Sequence, residues 1–574
     1  MLRLVGGPLK STKSILQYCA MTTTSLPLLQ DLSALLPRDV AGVQDASLLL
    51  ETLEDSARQC QAPAFRDAFA ASGLADIFPT FLASVAKDLA SHAPAAPVAE
   101  GDEEDDGFGY SYTATKSGNG EIEPRAAATF ADTASAERAI YLFLSSYRFL
   151  RNVCVQNEAN QTLLQPLLPL TLLQLEAHVH WMHTDDDVMK ELLVLSSQVM
   201  VQFVGNVVVN HEENQRVLWP LLQPKLLEML LVECQVHRKL LGFATAALCN
   251  CLHSPTDGAA RANELAAHRR PLLILLLQRC LTHGSDEDED RVDAAFEWIV
   301  LLFQQLFQRQ HTSAMYRSLS VSLLSTLWSR LTPEQILLLR MLDMCLATDD
   351  ERATKAQVHA TDDASLFPFI LTEFVALHAT KDAGEDEAPP SADREAMWRV
   401  MEIEASKLML HILGTLTTTL PPTALTDAAV QADVLAFVPA LVHQMHRAAA
   451  ARPVDGKLTN KPTDDDGDVD YYYGYKSAGV RVLGNLVHRN PAVQDLMRSC
   501  GGIEVLLNSC NIDETNPMIR EWALVALRHV CEGCEANQDY IKALAPQGVQ
   551  SNVDLTQMGA KAVMTDDKVT IQPL

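Results

Sequence analysis

Residues 149–164 read FLRNVCVQNEANQTLL, and the same pattern returns at 203–218 (FVGNVVVNHEENQRVL), 482–497 (VLGNLVHRNPAVQDLM) and 526–541 (ALRHVCEGCEANQDYI). In each, an apolar turn leads to a polar residue: Asn152, Asn206, Asn485 or His529. Asn or Val stands eight positions later, and Gln nine positions later. A fifth stretch, ATAALCNCLHS at 244–254, keeps Asn250 at the polar position and then diverges. Asn206 and Asn250 are 44 residues apart, as are Asn485 and His529. The 54 residues from Asn152 to Asn206 fit an insertion in a connecting loop. Repeats of two or three helices have periods of roughly 40–47 residues. Glu297-Trp298 and Glu521-Trp522 open a further matching pair, EWIVLLFQQLF and EWALVALRHV.

Apolar residues at helical spacing form one face per helix, and no repeat buries that face alone. The pattern therefore predicts an all-α, armadillo/HEAT-like α-α superhelical solenoid. The polar position falls mid-helix, opposite the apolar stripe. The Asn eight residues on is expected to cap the next helix, and Trp522 to sit in the shared core. Residues 1–30 read as a variable N-terminal segment, and 31–350 as armadillo-like repeats with an acidic loop near 91–130. Residues 351–470 read as divergent helical repeats and acidic loops, 471–550 as a C-terminal pair of repeats, and 551–574 as a loose polar tail.

At 574 residues the chain exceeds the roughly 250–300 at which a single core stops growing. A net charge of −28, with no run of Lys or Arg, argues against nucleic acid and anionic membranes. The longest purely apolar run, Leu272 to Leu277, is far short of the ~20 residues that cross a bilayer. Cys154, Cys249, Cys251, Cys280 and Cys345 lie within apolar helical patterns, as free thiols do in a reducing compartment. A cytoplasmic location is expected. Residues 1–21 carry Arg3, Lys10 and Lys13 with no acid before Asp31, and read either as a weak organelle transit segment or as an upstream start ahead of Met21.

The segments YGYKSAGVRVLGNLVHRNPAVQDLM and GGIEVLLNSCNIDETNPMIREWALVALRHVCEGCEANQDYIKAL, between Tyr473 and Leu544, resemble the C-terminal domain of the ataxin-10 family. LNSCNIDETNPMIREW is the most specific part, because generic armadillo repeats lack that turn before Glu-Trp. The likeness is strong over 471–550, weaker over the earlier repeats, and nearly lost over 311–470. It implies a non-catalytic cytoplasmic interaction protein. Animal relatives are linked to neuronal survival, neurite growth and cytokinesis, with a G-protein β subunit and the O-linked GlcNAc transferase among their partners. Budding-yeast relatives carry a name tied to copper transport.

No Gly-rich phosphate loop, nucleophile elbow or H-E-x-x-H is present, and His211-Glu212-Glu213 is followed by Gln215 where the last motif needs His. Asp464, Asp466, Asp468 and Asp470 alternate like calcium ligands, but Val469 and Tyr475 stand where an EF-hand needs Gly and Glu. Cys531-x-x-Cys534, with Cys500 and Cys510, and the cluster His178, His180 and His183 read as packing, with a metal site as the alternative. The expected function is a protein–protein scaffold in cytokinesis or cell survival and signalling, with no enzyme activity, cofactor or metal. The alternative is a metal-handling protein of copper homeostasis. Other proteins are the expected partners, without nucleic acid or membrane insertion, and self-association is left open.

The expected binding groove is lined by Arg148, Asn152, Asn206, Asn250, Arg481 and Asn485. Nuclear-import armadillo proteins place Trp four residues before each groove Asn. Here those places hold Arg148, Gln202, Ala246, Arg481 and Val525, which argues against nuclear-signal peptides. Each Asn could instead bond the neighbouring repeat's backbone. The two arginines could take carboxylates from a partner or from adjacent repeats.

Overall fold

The computed structural model describes residues 25–93, 129–222, 225–234, 237–281, 294–320, 331–346, 365–379, 392–450, 472–511, 513, 515–544, 556, 559–565 and 568–573. The acidic stretches at 101–106, 285–290 and 452–470, with the alternating aspartates, lie outside these, as do residues 1–24. Almost all described structure is helical, in an all-α solenoid fold. Contacts divide the chain into two compact units, Met1–Leu306 and Phe307–Leu574.

In the first unit, helices Ala46–Gln59, Thr133–Val153, Asp187–Val208 and Arg238–Leu252 stack on one another in that order. Leu74–His92 and Leu168–Trp181 back them. Thr133–Val153 shows why the sequence folds this way. The Asp132 side chain accepts from the Ser135 amide at 3.2 Å and caps its start. Ala136, Ile140, Phe143, Tyr147 and Leu150 then recur at helical spacing and are buried. Phe149 packs between Phe69 and Phe78, with ring centroids 5.7 and 5.8 Å away. A residue in the left-handed region, Gln156 at φ 51°, ends the turn that follows.

In the second unit the stacking series is Pro333–Leu346, Ala392–Thr419, Tyr475–Leu486 and Ile519–Cys531. The last two approach closely because Gly484 has no Cβ: one placed there would stand 3.1 Å from the Ala526 Cβ. Residues Ala560–Thr565 and Lys568–Pro573 pair antiparallel, Ala560 opposite Pro573 and Thr565 opposite Lys568. This corrects the expectation of a loose tail. Val569-Thr570-Ile571 is a β-branched run that favours extended backbone, which a reading by polarity alone overlooks.

Helices Asp187–Val208 and Ala428–Ala449 are long and apolar enough, by length and composition, to cross a membrane. A search for unbroken apolar runs misses them because short polar stretches such as Ser196-Ser197-Gln198 and His443-Gln444 interrupt both. Asp187–Val208 has 61% of its apolar window buried, held between Thr133–Val153 and Arg238–Leu252.

Candidate functional site

The recurring asparagines form a ladder of bonds between successive helices. Asn152 donates from Nδ2 to the carbonyl of Ala57 at 3.0 Å, Asn206 to that of Arg151 at 2.9 Å, and Asn250 to that of Gly205 at 3.4 Å. Each acceptor after the first is the residue immediately before the preceding ladder position. His529 keeps the rule in the second unit, its Nδ1 lying 2.9 Å from the Gly484 carbonyl. Asn485 donates to Thr417 Oγ1 at 2.9 Å, which places Thr418 on the ladder of its neighbour. Four of the six expected groove residues thus lie in the first unit and two in the second.

The second half of the repeated pattern is structural as well. Asn160, Asn214 and Asn537 are fully buried. Each donates to two carbonyls, one seven residues back (Val153, Val207, Val530) and one in the preceding repeat (Arg66, Gln161, Gln494). Gln161 and Gln494 donate forward, to Asn206 and Val209 and to His529 and Glu532 respectively. The expectation that the later Asn caps a helix is corrected. The caps stand three residues earlier, where Asn157, Asn490 and the His211 ring accept from the amides of Asn160, Val493 and Asn214. A left-handed residue sits four positions after Asn152, Asn206, Asn485 and His529, namely Gln156, Asn210, Arg489 and Gly533, though not after Asn250.

The arginines differ in their surroundings. Arg148 donates from Nη1 to Glu54 Oε1 at 2.9 Å, and Ser145 donates to the same oxygen at 3.0 Å. Arg151 bonds Gln202, and burial, then Arg148, lowers its pKa. Arg481 lies over the Trp522 ring, its Cζ 5.8 Å from the centroid. Trp522 is therefore half-buried at the surface rather than in the core, which corrects its expected place. Its helix turns Ala523, Ala526 and Val530 inward instead.

Three exposed apolar side chains escaped the sequence reading. Leu48, Tyr141 and Leu195 are 45%, 43% and 38% exposed on three successive stacking helices. Tyr141 and Leu195 stand eleven residues before Asn152 and Asn206, and Leu48 ten before Arg58, the ladder position of the first helix. Eleven residues are three helical turns, so Tyr141 and Leu195 lie on the ladder face, while Leu48 is offset from it by about a quarter turn. Counting back by that interval finds Tyr141 and Leu195.

The histidines at 178, 180 and 183 do not converge. His178 is fully buried, edge-on to Phe143 with ring centroids 5.9 Å apart, whereas His183 bonds Glu233 at 2.9 Å. Desolvation pushes the Cys531 thiol above its ordinary range, with Cys534 adding to the shift. Among the described residues no group of three or more His, Cys, Asp or Glu side chains is placed to hold a metal ion.

Residues 475–572 match the family model described as "Spinocerebellar ataxia type 10 protein domain". Ataxin-10 of Macaca fascicularis and of Homo sapiens are each 24% identical over 456 residues, covering 76% of this chain and 82% of theirs. The ataxin-10 homolog of Dictyostelium discoideum is 40% identical over 94 residues, 16% of this chain and 15% of that protein. A solved structure titled "A conserved phosphorylation switch controls the interaction between cadherin and beta-catenin in vitro and in vivo" is 12% identical, covering 91% of this chain and 98% of that one. Its TM-score of 0.24 is too low for the two to be compared site by site. The repeats, the C-terminal domain match and the likeness along three quarters of the chain together place this protein in the ataxin-10 family.

Proposed function

We propose that this chain is a non-enzymatic scaffold that binds other proteins along the ladder face of its stacked helices. The observation that carries this reading is the exposed pair Tyr141 and Leu195, at the same position of two stacked helices, with Leu48 exposed on the helix before them. Large apolar side chains scattered singly on a surface are ordinary, whereas ones exposed at matching positions of neighbouring helices favour a contact surface. The Arg148–Glu54 pair one to two turns away supplies a polar rim. The ladder asparagines align this surface, and the arginines offer it charge. Family likeness supports a cytoplasmic role in cytokinesis or in cell survival and signalling, with neither nucleic acid nor membrane insertion involved. Self-association is a further use such a surface allows.

The test places a photo-crosslinking amino acid at position 141 of the full chain in cells, and at 173 as a comparison. Leu173 is 67% exposed but lies on the backing helix Leu168–Trp181. Discrete protein adducts from 141, lost when Leu48 and Leu195 are changed to Ser, are the expected outcome. Equal adducts from both positions, or none from 141, would refute the surface.

A further inference from the structure

Arg481 is held unlike Arg148 and Arg340, which occupy other stacking helices. Arg148 meets Glu54, and Arg340 meets Glu404. Arg481 meets no carboxylate among the described residues, although the chain carries 73 acidic side chains to 45 basic ones. Its guanidinium lies flat against the preceding helix. A Cβ at Gly414 would stand 3.3 Å from Nη1 and 3.4 Å from both Cζ and Nε, so the plane faces the glycine. Trp522, on the following helix, lies against the same group. These contacts fix the plane and remove much of the entropy that an arginine loses on binding. Of its five donors, one reaches Thr418 Oγ1, and only at 3.5 Å. Asn485 stands one turn further along the same helix, its Nδ2 tied to Thr417. Val525, 51% exposed, stands four residues before His529 as Arg481 stands four before Asn485, and so adjoins it on the same face.

We propose that Arg481, stacked between Gly414 and Trp522, is the seat for a carboxylate side chain of an acidic protein segment, with Val525 taking a neighbouring apolar side chain. The proposal rests on the protein-binding reading and names the chemistry of the partner. A planar fork with free donors matches a carboxylate in two-point contact. A phosphate dianion fits less well, because one cation faces it in a chain of net charge −28.

The test uses the full chain and two fluorescein-labelled octapeptides, one alternating Glu with Leu and one alternating Gln with Leu, in about 0.1 M salt. The Glu peptide should bind the unaltered protein about tenfold more tightly, the scale of one charge-assisted two-point contact. Arg481→Gln should erase the difference, and Arg481→Lys should erase most of it, because the ammonium lacks the fork and the stacking plane. Arg216→Gln, which removes a cation already paired with Asp257 and Glu213, should leave it intact. Far-ultraviolet circular dichroism checks that each variant keeps its helices. Equal binding of the two peptides, or an Arg481→Gln or Arg481→Lys variant that discriminates like the parent, would overturn the seat. Failure of this inference alone would leave the adducts from position 141 in place, whereas failure of the scaffold reading would remove them.

Discussion

Asn206 donates from Nδ2 to the carbonyl of Arg151 at 2.9 Å, one residue before Asn152, its own counterpart in the preceding helix. Asn250 reaches Gly205 in the same relation to Asn206, and His529 reaches Gly484 in the same relation to Asn485. A helix buried on its stacking side leaves its neighbours few ways to fix how far one slides along the next. The ladder positions fall in the last turn of each helix rather than mid-helix as expected, and a side-chain donor aimed at one named carbonyl there fixes the register where the helix leaves carbonyls short of partners. The geometry therefore explains why a polar residue recurs there without invoking a ligand.

The buried asparagines should matter more to stability than the ladder ones. Asn214 serves two carbonyls, Gln161 and Val207, from a site with no exposure. Replacing it with Leu strands both, and each unsatisfied buried group costs ~1–3 kcal/mol. Asn214→Leu should thus lower unfolding free energy by about 2–4 kcal/mol in a urea titration. Asn206→Ala, at a half-buried site with one bond, should lose about 1 kcal/mol, and Asn250→Ala less, given its 3.4 Å contact. The reverse order would show that the ladder, not the turn, sets the register.

Much of this was legible in the spacing alone. Periodicity yields the helices, the repeat length and the alignment of Asn152, Asn206 and Asn250, because backbone geometry repeats whenever the apolar stripe does. Which of two polar residues caps a helix is not periodic. It depends on one backbone angle, and Asn157 rather than Asn160 holds the extended conformation. Trp522 was misplaced for a related reason. Its segment is apolar on more than one side, so pattern alone does not say which side faces in. The partner of Arg148 is Glu54, 94 residues earlier, a distance over which local sequence carries no information.

The turn four residues beyond Asn485 and His529 offers a paired test. Gly533 holds φ 71° with nothing within 4 Å of where a Cβ would be, so Gly533→Ala introduces backbone strain and no clash. It should cost about 1–2 kcal/mol. Arg489 holds φ 53° with a side chain that disfavours it. Arg489→Gly should raise the urea midpoint, by an amount worth up to about 1 kcal/mol. Opposite signs for the two substitutions confirm the shared turn, and two losses would refute it.

His178 makes the first unit sensitive to acid. Neither ring nitrogen has a hydrogen-bond partner among the described residues, and burial pushes its pKa down from 6.5 to about 3. The folded state therefore holds the ring neutral while the unfolded chain takes up a proton below about pH 6.5. Stability from this group is complete above that value and falls as pH drops through the window from 6.5 to 3. The slope is about 1.4 kcal/mol per pH unit. Thermal melts at pH 7 and pH 5 should show His178→Met losing less stability on acidification than the parent. Equal losses would show that His178 does not titrate with unfolding.

Phe149 and Trp522 separate core from surface. Phe149 is fully buried against Phe69 and Phe78, so Phe149→Ala leaves a cavity and should cost about 3–5 kcal/mol. Trp522 is larger, and by size alone its loss would cost as much. It is only half-buried, however, and one neighbour is the guanidinium of Arg481 rather than packed hydrocarbon. Removing it takes away a partial apolar contact and one cation–π interaction, together about 1–2 kcal/mol, and leaves space that water fills. Urea titrations of the two variants should therefore differ by at least about 1 kcal/mol, with Trp522→Ala the milder. A loss at Trp522 equal to that at Phe149 would return the indole to the core, and with it remove the surface on which Arg481 is stacked.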